Sequence, residues 1–141
     1  MTLRKIDHIG IVVSDIDDAR RRYQALGFDV VEEPVDLPDR GVRVQFLAAG
    51  PDHIELIQPI AEDCPLHAVI EKRGEGILHI CLEVDDIEGE LNRLDGLGVR
   101  LVDRRAWMSP HGWAAFIHPK SMRGVSVELR EKALESRPKS D

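Results

Sequence analysis

The sequence predicts an α+β fold made of two tandem strand–helix–three-strand modules, and three observations carry that prediction. The run Ile6-Asp7-His8-Ile9-Gly10-Ile11-Val12-Val13-Ser14-Asp15-Ile16 returns as Ile77-Leu78-His79-Ile80-Cys81-Leu82-Glu83-Val84-Asp85-Asp86-Ile87. The spacing is 71 residues and holds without a gap through Leu26-Gly27 and Leu97-Gly98. Each copy then closes on a Glu-Leu pair, Glu55-Leu56 and Glu128-Leu129, 73 residues apart. At 141 residues the chain has the length of one domain. The copies are therefore half-domains, over about 5–60 and 76–131, each too short to hide an apolar face alone. A single domain over 1–135 and a polar, disordered tail over 136–141 are expected.

The elements follow in order. Ile6 to Val13 is rich in β-branched residues, and its period-2 reading puts Ile9, Ile11 and Val13 on one face and His8, Gly10 and Val12 on the other. Ser14 or Asp15 caps a helix whose apolar residues Ile16, Ala19, Tyr23 and Leu26 keep helical spacing, and Gly27 ends it. Strands are expected over Phe28 to Glu33 and Gly41 to Ala48, with a Pro34 to Pro38 loop between them. Gly50-Pro51-Asp52 then turns into a strand over His53 to Ile57. The second copy repeats the pattern: a strand over Ile77 to Val84, a cap at Asp85 or Asp86, and a helix carrying Ile87, Leu91, Leu94 and Leu97 before Gly98. Strands follow at Val99 to Asp103, Trp113 to His118 and Val125 to Arg130. The linker from Pro59 to Gly76 holds a short helix over Leu66 to Lys72.

A net charge of −7 argues against nucleic acid or an anionic membrane as the main partner. Clusters such as Arg20-Arg21-Arg22 and Arg104-Arg105 read as solvated faces. Cys64 and Cys81 form no CxxC motif and no disulfide framework. With no signal peptide and no apolar run of spanning length, the expectation is a soluble, cytoplasmic protein.

The chemistry sits where polar residues interrupt apolar strands. Glu55 lies between Ile54 and Leu56, Glu128 between Val127 and Leu129, and His79 between Leu78 and Ile80, while His8 is preceded by Asp7. Alternation packs the apolar neighbours beneath helices and turns the polar residues to the opposite face. If the halves pair pseudo-symmetrically, His8, Glu55, His79 and Glu128 meet as an N2O2 set, which suits Co, Mn, Ni, Fe or Zn.

With these residues the chain resembles the vicinal oxygen chelate (glyoxalase/bleomycin resistance/dioxygenase) superfamily, and more narrowly its methylmalonyl-CoA epimerases. The matching segments are Asp7-His8-Ile9-Gly10, Gly41-Val42, Ile54 to Ile60, His79 to Ile87, His118-Pro119-Lys120 and Gly124 to Leu129. They cover most of residues 6 to 130 in the family's order. The resemblance implies metal ligands His8, Glu55, His79 and Glu128, with cobalt favoured. It also implies one cupped mixed β-sheet with helices on its outer face, a homodimer, and a small-molecule acyl-CoA substrate. Val44 stands where some epimerases of the family carry a glutamate proposed as a base, so the resemblance supplies no second base there. The stretch Trp107 to Ala115 is bulkier than the family pattern, which bears on the acyl group accepted.

An epimerase removes a proton beside a carbonyl and returns it on the other face through an enolate that a chelated metal stabilises. Glu128 is the first candidate for the base and Glu55 the second. Glu32, Glu33 and Glu83 read as solvated. His118 and Lys120 are substrate-binding candidates, placing a cation near a carboxylate or phosphate. His53, His67 and His111 read as surface residues, with His111 in a loop able to line the cup. Cys81, on the same face as His79, is a weaker ligand candidate because its counterpart is Gly10. Three other classes share the pattern. A glyoxalase I-type isomerase of a glutathione thiohemiacetal uses the same metal set. A dioxygenase needs only a 2-His-1-carboxylate triad, and a metal-free binding module needs no ligands.

Overall fold

A computed structural model describes residues 2–132. The tail expected over Ser136 to Asp141, and the end of the domain at 135, lie outside the described residues. The chain forms two compact units, one over His8–Leu78 and the other from the residues before His8 together with those from His79 on. The first strand, β1 (Leu3–Val12), leaves one unit and enters the other at the Asp7-His8 bond.

In the His8–Leu78 unit, β1 is followed by α1 (Ile16–Ala25), β2 (Asp29–Val30), β3 (Val35–Leu37), β4 (Val42–Ala49), β5 (Asp52–Pro59) and α2 (Leu66–Arg73). The strand order is β2-β4-β5-β1, and β3 also pairs with β4. The β4–β5 hairpin places Phe46 opposite Glu55, and the parallel β1–β5 pair places Gly10 opposite Glu55. A parallel pair needs a crossover, and α1 begins it. The Asp15 side chain accepts from Asp18 N at 3.1 Å, and Gln58 Oε1 accepts from Ile16 N at 2.9 Å, so two otherwise orphaned amides at the helix start are satisfied. Ile16 and Ala19 pack with Ile11, Val13, Leu47, Ile54 and Leu56 into one core, with Ile9 against it. The period-2 reading of β1 is thereby borne out.

The other unit repeats the plan with β6 (Gly76–Val84) from His79 onward, α3 (Ile87–Gly96), β7 (Trp107–Ser109), β8 (Gly112–Ile117) and β9 (Ser126–Glu131). Its order is β1-β6-β9-β8-β7, with the N-terminal part of β1 at one side. Asp86 accepts from Gly89 N at 3.1 Å, and Glu131 Oε1 accepts from Ile87 N at 3.1 Å. Both caps thus recur at the repeat spacing. Ile87 and Leu91 pack with Ala115, Ile117, Val127 and Leu129, with Ile80, Leu82 and Leu94 against them.

Several expectations are corrected. Val35–Leu37, read as loop, is a strand that fits between Pro34 and Pro38 and is joined to β4 by an Arg43 Nε to Asp36 Oδ1 bond of 2.6 Å. Phe28 to Glu33 shrinks to Asp29–Val30, and Val99 to Asp103 to a single Leu101–Ile117 bridge. Trp107–Ser109, not foreseen as a strand, pairs with β8. Leu26 and Leu97 are 76% and 67% exposed because both are C-cap residues, past the last helical residues that pack on the cores.

Gly41 fixes the junction between β4 and β5. Its carbonyl accepts from Ile60 N at 2.8 Å and Ala61 N at 3.1 Å, its φ is +70°, and a Cβ there lies 2.9 Å from the Ala61 Cβ. Gly41→Ala adds a left-handed strain and a clash. We expect it to lower stability by about 1–3 kcal/mol, read from urea unfolding. A change below a few tenths of a kcal/mol means the junction yields freely. Among the described residues no helix is long and apolar enough to cross a membrane.

Candidate active site

Each unit builds the same small constellation on the face turned away from its helix. In the His8–Leu78 unit, β1 presents His8, buried at 2%, and β5 presents Glu55. Glu55 stands opposite Gly10, whose missing side chain leaves the carboxylate room, and its Oε1 lies 3.4 Å from His8 Nε2. In the other unit His79 is buried at 1% on β6 and Glu128 at 7% on β9. Glu128 stands opposite Cys81, with its Oε1 3.1 Å from His79 Nε2. The predicted pairing of each histidine with its closing glutamate is therefore present twice, in equivalent register.

A third member of each constellation was missed from sequence. Phe46 lies opposite Glu55 and meets the His8 ring edge-on at 4.8 Å, and Phe116 lies opposite Glu128 and meets His79 edge-on at 5.5 Å. The two phenylalanines are 70 residues apart, so the repeat carried the signal. Each aromatic wall dries its pair, and low dielectric strengthens whatever charge the pair faces.

Neighbouring groups fall into place around these pairs. Val44 is buried at 3% among Val42, Ile57 and Cys64, so no acid stands in that row. Glu83, read as solvated, is instead half-buried opposite Arg130 and paired with Lys132 at 3.3 Å. Glu32 accepts from the Gln45 side chain through its carbonyl at 2.9 Å, and Glu33 is exposed. His67 lies exposed, 3.0 Å from the Ala61 carbonyl, whereas His53 and His111 are half-buried. His118 and Lys120 come together in the 3-10 turn Pro119–Met122 that follows β8, where His118 Nδ1 accepts from Lys120 N at 3.1 Å. Desolvation, then the Arg100 and Lys120 charges, holds the His118 imidazole below its usual 6.5, in the neutral form that this acceptor role requires.

The donor set fits a divalent cation. Each unit aims one imidazole nitrogen and one carboxylate oxygen at a common neighbourhood in a buried setting, where an unpaired carboxylate is strongly disfavoured. Cys81, the weaker ligand candidate, is completely buried beside the pair on β6.

Residues 7–117 match the family model for the glyoxalase/bleomycin resistance protein/dioxygenase superfamily. The chain belongs to this superfamily. Within it, a mitochondrial methylmalonyl-CoA epimerase of Dictyostelium discoideum is 36% identical over 130 residues, 91% of this chain and 78% of the relative. An ethylmalonyl-CoA/methylmalonyl-CoA epimerase of Cereibacter sphaeroides is 37% identical over 131 residues, 90% of this chain and 97% of the relative. A Streptomyces coelicolor methylmalonyl-CoA epimerase variant, solved in complex with 2-nitronate-propionyl-CoA, superposes with a TM-score of 0.87 at 31% identity, covering 94% of this chain and 96% of its own. The superfamily member described here is thus an epimerase-like enzyme, an isomerase, with the α+β vicinal oxygen chelate fold that its sequence predicted.

Proposed function

We propose that the chain is a metal-dependent methylmalonyl-CoA epimerase, moving the α-proton of a 2-methyl-branched malonyl-type acyl-CoA. What carries the reading is the twice-built His–Glu–Phe constellation in a chain 36–37% identical to epimerases that act on such thioesters. His8, Glu55, His79 and Glu128 would together hold one divalent cation, cobalt favoured by the family resemblance. Bound there, the cation supplies Lewis-acid stabilisation of the negative charge that develops on the substrate oxygens when the α-proton leaves.

The chain's own residues do the rest. The α-carbon lies between a thioester and a carboxylate, so deprotonation is the demanding step and needs a base within hydrogen-bond reach. Glu128 takes the proton, and Glu55, on the closing strand of the other copy, is the second carboxylate. Phe46 and Phe116 exclude water from the imidazoles. His118 and Lys120 offer a neutral imidazole and a cation to the anionic parts of the thioester. We further propose a single domain, a homodimer and a cytoplasmic setting, the first from the shared repeat and the others from family resemblance and composition.

Proton NMR in D2O tests the reading. Metal-loaded protein with methylmalonyl-CoA is expected to exchange the α-proton for deuterium and to interconvert the two epimers. Absence of exchange with metal bound sinks it.

A further inference from the structure

The repeat is faithful in the rows that hold His8, Glu55, His79 and Glu128, and breaks in the next row. On the face opposite α1, that row reads Val12, Ile57, Val44 and Val35 across β1, β5, β4 and β3. Leu78, the residue before His79, packs on the cluster containing Val44 and Ile57. On the face opposite α3, the equivalent row reads Glu83, Arg130, Ala114 and Trp107 across β6, β9, β8 and β7. Here Asp7, the residue before His8, pairs through Oδ2 with Arg130 Nη1, with side chains 12% and 8% exposed. Asp7 is thus the counterpart of Leu78, and Arg130 that of Ile57. An apolar contact in one copy is a buried ion pair in the other.

That substitution has a physical meaning. Replacing a buried ion pair by apolar groups of similar size is commonly neutral or stabilising, and this chain already contains the apolar solution at the equivalent position. Folding therefore does not explain the charges. Arg130 follows Glu128 by two residues on the same strand face, so its guanidinium is set beside the proposed base, with the Trp107 strand beyond Ala114 in the same row. A guanidinium is a planar fork matched to a carboxylate, and it remains charged at every working pH.

We propose that Arg130 is a specificity-determining residue that recognises the free carboxylate of a malonyl-type acyl group, and that Asp7 is the positioning residue that holds its guanidinium. The inference rests on the acyl-CoA reading above and names the part of the substrate that this row accepts.

The test is calorimetric binding of methylmalonyl-CoA and of isobutyryl-CoA, in which a methyl replaces the carboxylate, to metal-loaded protein. Wild type is expected to favour methylmalonyl-CoA. The double variant Asp7→Leu/Arg130→Ile copies the Leu78–Ile57 contact, so it should fold with nearly the wild-type melting temperature and keep the visible spectrum of bound Co2+. Its preference should fall about tenfold or more, as expected for one lost charged hydrogen bond, with isobutyryl-CoA binding little changed. Arg130→Lys, which keeps the charge and loses the fork, should fall between the two, and it serves alone if the double variant does not fold. A variant that discriminates as wild type does, or that loses both ligands equally, overturns the assignment and leaves a packing role. Wild type binding neither thioester overturns the acyl-CoA reading itself, and the Arg130 assignment falls with it.

Discussion

Metal-loaded protein should unfold on the order of 10 °C above its chelated form, and the His8→Ala/His79→Ala double variant should show no such difference. The size follows from linkage: a cation at a hundred times its dissociation constant stabilises the folded state by about 2.7 kcal/mol, and each kcal/mol moves the midpoint of a chain this long by roughly 3–5 °C. His8 and His79 supply both nitrogens of the proposed set, and each is buried with its Nε2 against a carboxylate. Losing an outer-shell partner alone weakens metal affinity by about 10–100-fold, so losing both nitrogen ligands should exceed that. The alanines also leave cavities against Phe46 and Phe116, which lower the melting temperature of the chelated form as well. The readout is therefore the difference between loaded and chelated protein within each variant. Binding of about one Co2+ per wild-type chain, followed by equilibrium dialysis, completes the measurement. A double variant that still takes up a full equivalent with wild-type affinity refutes the site.

How much of this was legible before folding depends on what kind of signal each feature leaves. The His–Glu pairs were readable because a strand alternates, so a polar residue between two apolar ones has only one face to occupy. Asp15 and Asp86 were readable as caps because a short acceptor side chain before an apolar helical stripe has a local job. The final strands went further than sequence could: Gln58 and Glu131 cap helices that lie more than forty residues away in the chain, and no local pattern announces that. Short strands were lost for a related reason. Val35–Leu37 and Trp107–Ser109 have three residues each, too few to show a period, and their pairing with β4 and β8 decides them. Val99 to Asp103 failed the other way, since its β-branched residues suit a strand but only Leu101 forms a bridge, to Ile117. Phe46 and Phe116 were visible in the repeat and passed over because an aromatic in a strand reads as core. The Asp7–Arg130 pair, 123 residues apart, left no trace in either neighbourhood.

Glu128→Gln should leave metal bound, more weakly, while α-proton exchange in methylmalonyl-CoA falls by roughly two orders of magnitude or more, the scale of a lost general base. Glutamine keeps an oxygen donor and nearly the same shape, so β9 and its pairing with Cys81 and Phe116 should survive. What it removes is a carboxylate able to accept a proton. The choice of Glu128 over other acids follows from the geometry. Val44 is sealed in an apolar cluster, Glu83 is engaged by Lys132, and Glu33 lies on the surface. Among the carboxylates considered for the base, Glu55 and Glu128 are the two set against a buried imidazole. Deuterium uptake into methylmalonyl-CoA is measured beside turnover of the methylglyoxal–glutathione adduct, which a glyoxalase-type isomerase would process. Wild-type protein acting on the adduct alone would replace the epimerase by that isomerase. Near-normal exchange by Glu128→Gln with metal bound would move the base to Glu55, where Glu55→Gln should then show the loss that Glu128→Gln did not.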